Sequence, residues 1–329
     1  MGRSEPDRRH GESPGLTAAP DGSRTASGPD SAFEDSTVPE LPEVETIRRI
    51  VERELVGREL EAVDLRLPKL MRSSPLPDIG VLVGRRVTAA RRRAKVLVVD
   101  WSADLSLMAH FKLAGQLAVV HADGRRHVAG HPVPDPAGPY PHKSTHLIAR
   151  FSGGTTLYLS DVRQFGWLRL LPTANVEAAL AVFAFGPEGV GQQPISATTL
   201  GERLSRRRLP IKLALLDQTV VAGLGNIYVD EALHKARIHP NRPANALDVG
   251  ELTRLADAIP WSLERGLEQG GATIVRQRAY PRDGFPQVHA REGEPCPTCG
   301  TAIVKTRVGT RGTYLCPTCQ LPGRAARPM

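Results

Sequence analysis

Cysteine is scarce: 329 residues contain four, and all of them lie between positions 296 and 319. That excludes a disulfide-stapled secreted domain and points to a reducing compartment. Long apolar runs are missing as well. A bilayer span needs about 18 or more uncharged apolar residues in a row, so no membrane-spanning helix is expected. The N-terminus has no apolar core of the signal-peptide kind. Aromatic residues make up 5% of the chain. Acidic residues are the scarcer charge, 35 against 43 Lys and Arg, which leaves a net charge of +8 and a pI near 9.6. Such a balance favours a polyanionic partner, of which nucleic acid is the commonest. With 40% apolar residues the chain can build cores, and its length suits about two domains.

Residues 1–37 differ from the rest. They hold 15 Gly, Ser or Pro and few large apolar residues, with 4 basic against 7 acidic side chains. A segment of this kind cannot bury enough surface to offset its chain entropy, so 1–37 is expected to be a disordered extension. The string VPELPEVETIRRIVERELVGREL follows. Pro42 suits a first helical turn, and Glu43 and Glu45 suit the positive end of the helix dipole. Val44, Ile47, Val51 and Leu55 recur at helical spacing, and Gly57 is a natural stop.

Between about 59 and 171, short β-branched runs alternate with Gly, Pro and Asp clusters, at 81–88, 95–101, 105–111, 116–120, 146–151 and 155–160. No helical crossovers intervene, so an antiparallel sandwich or barrel is expected. The Pro- and His-rich stretch 121–145 reads as a long surface loop. The pattern then turns helical, at 176–184, 197–206, 210–218, 226–236 and 248–269.

Cys296-x2-Cys299 and Cys316-x2-Cys319 are separated by 16 residues. Two tight CxxC turns bring four thiolates to one ion, a closed tetrahedral sulfur site that is structural, not catalytic. The alternative, a redox CxxC pair, does not account for the doubling. Lys305, Arg307 and Arg311 between the pairs suit a hairpin that offers basic side chains to a phosphate backbone.

Three motifs carry a resemblance. PELPEVETIRR at 39–49, LLDQTVVAGLGNIYVDEAL at 215–233 and CPTCGT…RGTYLCPTCQ at 296–320 resemble, in order, the N-terminus, helix–two-turns–helix motif and zinc finger of the formamidopyrimidine-DNA glycosylase and endonuclease VIII family. The likeness spans about 39–322. It implies an α+β multidomain fold: a catalytic antiparallel β-sandwich with an N-terminal helix over 38–172, a helical DNA-binding domain over 176–280, and a zinc-finger β-hairpin over 290–322. The implied enzyme is a bifunctional glycosylase and AP lyase of base-excision repair. It flips an oxidised base out of duplex DNA, cuts the glycosidic bond and nicks the strand by β,δ-elimination. One structural Zn2+, duplex DNA carrying oxidised bases or abasic sites, a monomer and a cytoplasmic setting on a bacterial chromosome follow from the same likeness.

The resemblance also assigns residues. Pro39 matches the nucleophile, because a free N-terminal proline is a secondary amine whose adduct is a charged iminium. Glu40 matches the acid/base and Lys95 the strand-borne lysine, with Glu43 a supporting carboxylate. Leu113, Arg163 and Phe165 match the side chains that fill the vacated stack. Leu113 stands where the family has Met, and Lys112 where it has Gly. Arg207, Lys212 and Asn226 match phosphate contacts, and Arg311 the zinc-finger arginine at the damaged nucleotide's phosphate. Arg91, Arg92 and Arg93 read as a solvated basic edge.

Pro39 is internal here. Val38 stands at the family's initiator position, so 1–37 is expected to be a start-site artefact. Otherwise the tail must be cleaved, or the chain is a damaged-DNA-binding protein without catalysis. The stretch 273–291 is shorter than the family's usual lesion-capping region, which points to formamidopyrimidines or oxidised pyrimidines as preferred substrates.

Overall fold

The computed structural model describes residues 39–132, 134–191, 195–275 and 278–322. The 1–37 extension lies outside them. Helix α1 (Leu41–Leu55) begins with Pro42 in its first turn and buries the expected stripe of Val44, Ile47, Val51 and Leu55. Its stripe serves two cores. Leu41 packs among the apolar residues of the helical part, while Val44 and the residues after it pack into the sandwich. The start of α1 is thereby held where the two cores meet.

The strands are β1 (Leu60–Leu65), β2 (Val87–Arg93), β3 (Val96–Trp101), β4 (Leu105–His110), β5 (Gly115–Val120), β6 (Arg126–Gly130), β7 (Thr145–Phe151), β8 (Thr155–Asp161) and β9 (Trp167–Pro172). They form two antiparallel sheets, ordered β1-β7-β8-β5-β6 and β2-β3-β4-β9. Residues from both sheets make the core, with Trp101 and Phe151 stacked at 6.0 Å. Each fully buried Leu or Phe there contributes about 1.5–3 kcal/mol.

Two expectations fail locally. The run 81–88 is not a strand: Ile79–Leu82 is a 3-10 turn capped by Asp78, whose Oδ1 accepts from Gly80 N at 2.7 Å, and pairing starts only at Val87. The loop 121–145 contains β6. Its hairpin turns at Asp123–Gly124, where Gly124 adopts φ +85° and Asp123 accepts from Arg125 N. An Asp-Gly pair is a hairpin signal, here hidden by the proline-rich sequence that follows it.

The helical part comprises α2 (Val176–Ala181), α3 (Ala197–Leu204), α4 (Ile211–Leu216), α5 (Asn226–Ala236) and α6 (Val249–Gln269). Asp248 and Glu251 close a capping box on α6, and Gly270 ends it in the left-handed conformation. Two short hairpins complete the fold: β10 (Ile274–Val275) with β11 (Arg278–Ala279), and β12 (Val304–Val308) with β13 (Arg311–Leu315). Buried Glu231 on α5 accepts three backbone N–H groups, from Gln287, Val288 and His289. These bonds fasten the segment before the cysteines to the helices.

Candidate active site

The start of α1 carries the densest chemistry. Glu40 is fully buried. Its Oε1 accepts from Ile227 N at 2.9 Å, at the first turn of α5, while its Oε2 has no hydrogen-bond partner. Burial raises its pKa to about 7, against the lowering pull of the Lys95 charge. Glu43 lies beneath it, accepting from Glu40 N, Tyr228 Oη and Ala272 N. Burial raises its pKa too, against those three bonds. Glycine makes the close approach possible. A Cβ on Gly225 would lie 2.3 Å from the Glu40 carboxyl carbon, and one on Gly271 would lie 2.8 Å from Glu43 Oε1. Buried Pro39 precedes Glu40 directly.

Lys95 sits on the tight β2–β3 turn, after Ala94 at φ +53°. Desolvation lowers its pKa, the Glu40 and Glu43 charges oppose that, and Arg311 and Lys112 push it down again. Lys95 therefore stands within electrostatic reach of both carboxylates and of the zinc-finger arginine. Glu188 anchors the turn by accepting from Ala94 N and from Arg92. Burial pushes Glu188 up, and Arg92, the Ala94 N–H and Arg93 together more than reverse it. Arg91–Arg93 are thus not a solvated edge. Arg91 pairs with Asp100 and Glu177, Arg92 with Glu45 and Glu188, and Arg93 with Glu188. Glu45, Glu177 and Glu188 are far away in sequence, so the run looked unpaired.

Leu113 lies on the β4–β5 crossover, and Arg163 and Phe165 on the β8–β9 crossover. His110 pairs with Trp167, and Gly115 with Asp161, so the two crossovers run side by side. Lys112 (φ +48°) and Gln164 (φ +55°) shape them. Asp161 accepts from Arg163 N and Gly166 N, and the Arg163 guanidinium lies 5.6 Å from the Phe165 ring. Phe165 is 53% exposed, so its ring is open to a stacking partner.

Asn226 opens α5, and its Nδ2 donates to Gly312 O at 3.0 Å while its buried Oδ1 has no partner. Arg207 pairs with Asp217 at 2.7 Å and stays partly exposed. Lys212 departs from expectation. It is 0% exposed, and its Nζ donates to Asp230 at 2.7 Å and to Gly312 O at 2.8 Å. A charge held this way holds the β12–β13 hairpin from inside and does not meet a phosphate at the surface. Arg311, one residue before Gly312, is exposed at the hairpin tip.

The cysteine sulfurs converge. Cys299 and Cys316 Sγ are 3.4 Å apart, Cys296 and Cys319 Sγ 3.9 Å apart, and all four lie within 4.8 Å of one another. Tetrahedral zinc with Zn–S bonds of about 2.3 Å places its sulfurs roughly 3.8 Å apart, so the donor set fits one structural Zn2+. His234 on α5 lies 3.4 Å from Cys296 Sγ through Nε2, tying the zinc knuckle to the helices.

Sequence reasoning missed three members of this region: Tyr228, which bonds Glu43; Glu188, which sets the Lys95 turn; and His110, whose pKa burial, with Lys112 and Lys95, depresses to about 3. Only Tyr228 lay inside a recognisable motif.

An antiparallel sandwich, a helical module and a four-sulfur finger around a buried carboxylate define a class of nucleic-acid enzyme. Residues 38–168 match the formamidopyrimidine-DNA glycosylase N-terminal domain, 185–278 the formamidopyrimidine-DNA glycosylase H2TH domain, and 293–321 the zinc finger found in FPG and IleRS. A formamidopyrimidine-DNA glycosylase of Pelotomaculum thermopropionicum is 39% identical over 289 residues, covering 86% of this chain and 99% of the relative. One of Herpetosiphon aurantiacus is 39% identical over 290 residues, covering 86% of this chain and all of the relative. Among solved structures, Lactococcus lactis Fpg with DNA containing an abasic site superposes at a TM-score of 0.75 with 32% identity. The Lactococcus lactis complex with Fapy-dG-containing DNA gives 0.74 with 32% identity. Each covers 86% of this chain and 100% of its own. The chain belongs to the formamidopyrimidine-DNA glycosylase family.

Proposed function

We propose that this chain is a bifunctional DNA glycosylase and AP lyase. It removes oxidised bases, formamidopyrimidines and 8-oxoguanine among them, from duplex DNA, acting as a monomer on the chromosome in the cytoplasm. The carrying observation is Glu40: buried, next to Pro39, one oxygen unpartnered, with a pKa of about 7. A carboxyl group poised near neutrality can give up a proton on demand.

Glu40 gives its proton to O4′ as the sugar ring opens, the Pro39 amine attacks C1′ of the damaged nucleotide, and the base leaves with the electron pair of the glycosidic bond and the amine's proton. A C1′ iminium remains. Its positive charge acidifies the C2′ proton, which the Glu40 carboxylate takes up as the 3′ phosphate is expelled. A second elimination expels the 5′ phosphate. Lys95 and Arg311 steady the phosphates. Arg207 and Asn226 grip the backbone, and Leu113, Arg163 and Phe165 fill the vacated stack. The zinc holds the hairpin that carries Arg311.

The test is borohydride trapping on duplex DNA with an oxidised base, using the full chain and a chain beginning at Pro39, with the adduct mapped by peptide mass. The expected result is an adduct on Pro39 in the shorter chain. No adduct, or one elsewhere, overturns the assignment. Because Val38 precedes Pro39, its nitrogen is an amide in the uncut chain. A full chain that binds lesion DNA without being trapped, and that is not shortened in the cell, favours the binding-only reading.

A further inference from the structure

At the far end of α1, roughly 20 Å from Glu40 at about 1.5 Å per residue, lies a second cluster of ligating side chains. Glu54 on the last turn of α1, His121 after β5 and His127 on β6 bring one donor atom each within 4.8 Å of one another. His121 Nε2 is 3.0 Å from Glu54 Oε2, and His127 Nε2 is 3.3 Å from Glu54 Oε1. Glu54 and His121 are buried, and His127 is partly open to solvent on an edge strand.

The geometry within this cluster is informative. His121 Nδ1 is occupied by Thr155 Oγ1 at 3.1 Å. That contact leaves Nε2 facing the carboxylate, yet Nε2 makes no hydrogen bond although Glu54 Oε2 is close enough. A shared proton lies near the line between two atoms. A metal ion lies off that line, at the apex of a triangle. Zinc with N and O ligands at about 2.0–2.2 Å places neighbouring donors roughly 3.3 Å apart, close to both separations here. The Thr155 contact also supplies the outer partner that orients a metal-bound imidazole.

We propose that Glu54, His121 and His127 form a second divalent transition-metal site, of zinc class, with two imidazoles, one carboxylate and an open position toward solvent. Arg53 also donates to Glu54 Oε1, and Arg58 Nε holds the Glu54 carbonyl. Arg53 is 59% exposed, so it is free to leave the carboxylate to an entering ion. The ion would pin the end of α1 to the β5–β6 hairpin.

The probe is metal alone. The full chain is stripped with chelator, reloaded with Zn2+ or Co2+, dialysed, and its metal counted. Two equivalents are expected in the parent chain and one in His127→Ala or Glu54→Gln. The Co2+ spectrum separates the sites, since only the four-cysteine site gives intense thiolate charge-transfer bands. The second equivalent should add weaker bands that disappear in His127→Ala, the partly exposed position least able to disturb folding. One equivalent in the parent chain overturns the proposal. So does a second equivalent that persists in both variants.

Discussion

The two regions that would meet a damaged nucleotide are built in opposite ways. The Glu40 corner is closed and made of long-range contacts: α1 supplies the carboxylates, α5 and the turn after α6 supply the donors, and glycines clear the space. The crossovers bearing Leu113, Arg163 and Phe165 are open and locally made, held by two positive-φ residues and the Asp161 carboxylate, with Phe165 exposed. Burial tunes a proton, and exposure leaves a surface for stacking. Under the proposed function, chemistry and lesion probing therefore make different demands on the same molecule.

That contrast can be broken by substitution. The largest effect is expected for Glu40→Gln, which keeps an acceptor for Ile227 N and removes the proton. Base release should slow by about 10²–10⁴-fold, the usual worth of a general acid, with the fold unchanged by circular dichroism. Lys212→Met should act on stability, because it takes the cation from buried Asp230 and leaves it only His289 and the Tyr314 N–H. Breaking a buried pair costs about 3–5 kcal/mol, read as a lower denaturation midpoint, with weaker DNA binding as the Arg311 hairpin loosens. Phe165→Ala should be the mildest. Stability should stay within about 0.5 kcal/mol, as for an exposed site, while DNA affinity drops by about 1–3 kcal/mol, the worth of one stacked base. If Phe165→Ala unfolded the chain, or Lys212→Met left it untouched, the division into an exposed wedge and a buried brace would fail.

Much of this was legible before any coordinates. The cysteine spacing announced the zinc knuckle, and the periodicity of 226–236 matched α5 residue for residue. Other features were hidden for physical reasons. The Arg91–Arg93 run looked solvated because Glu45, Glu177 and Glu188 reach it only after folding. Lys212 looked like a phosphate ligand because a basic residue beside a DNA-binding motif carries no sign of the Asp230 that buries it. The Glu54, His121 and His127 cluster spans a helix and a hairpin that the sequence pattern did not join. Local spacing is written in the sequence, whereas the partner of a charge is decided by topology.

The central claim is that a buried carboxylic acid at Glu40 drives base removal, and its titration tests this most directly. The measurement is the single-turnover rate of base release against pH, for a chain with free Pro39 and for its Glu40→Gln variant. A carboxyl group raised to about 7 is protonated below that pH and loses its proton above it. Loss of the Glu40 proton should therefore give the parent a falling limb above about pH 7, opposite to the rise as the Pro39 amine is freed of its own proton, while the variant runs low without that falling limb. A falling limb near 7 that survives in Glu40→Gln would contradict the account.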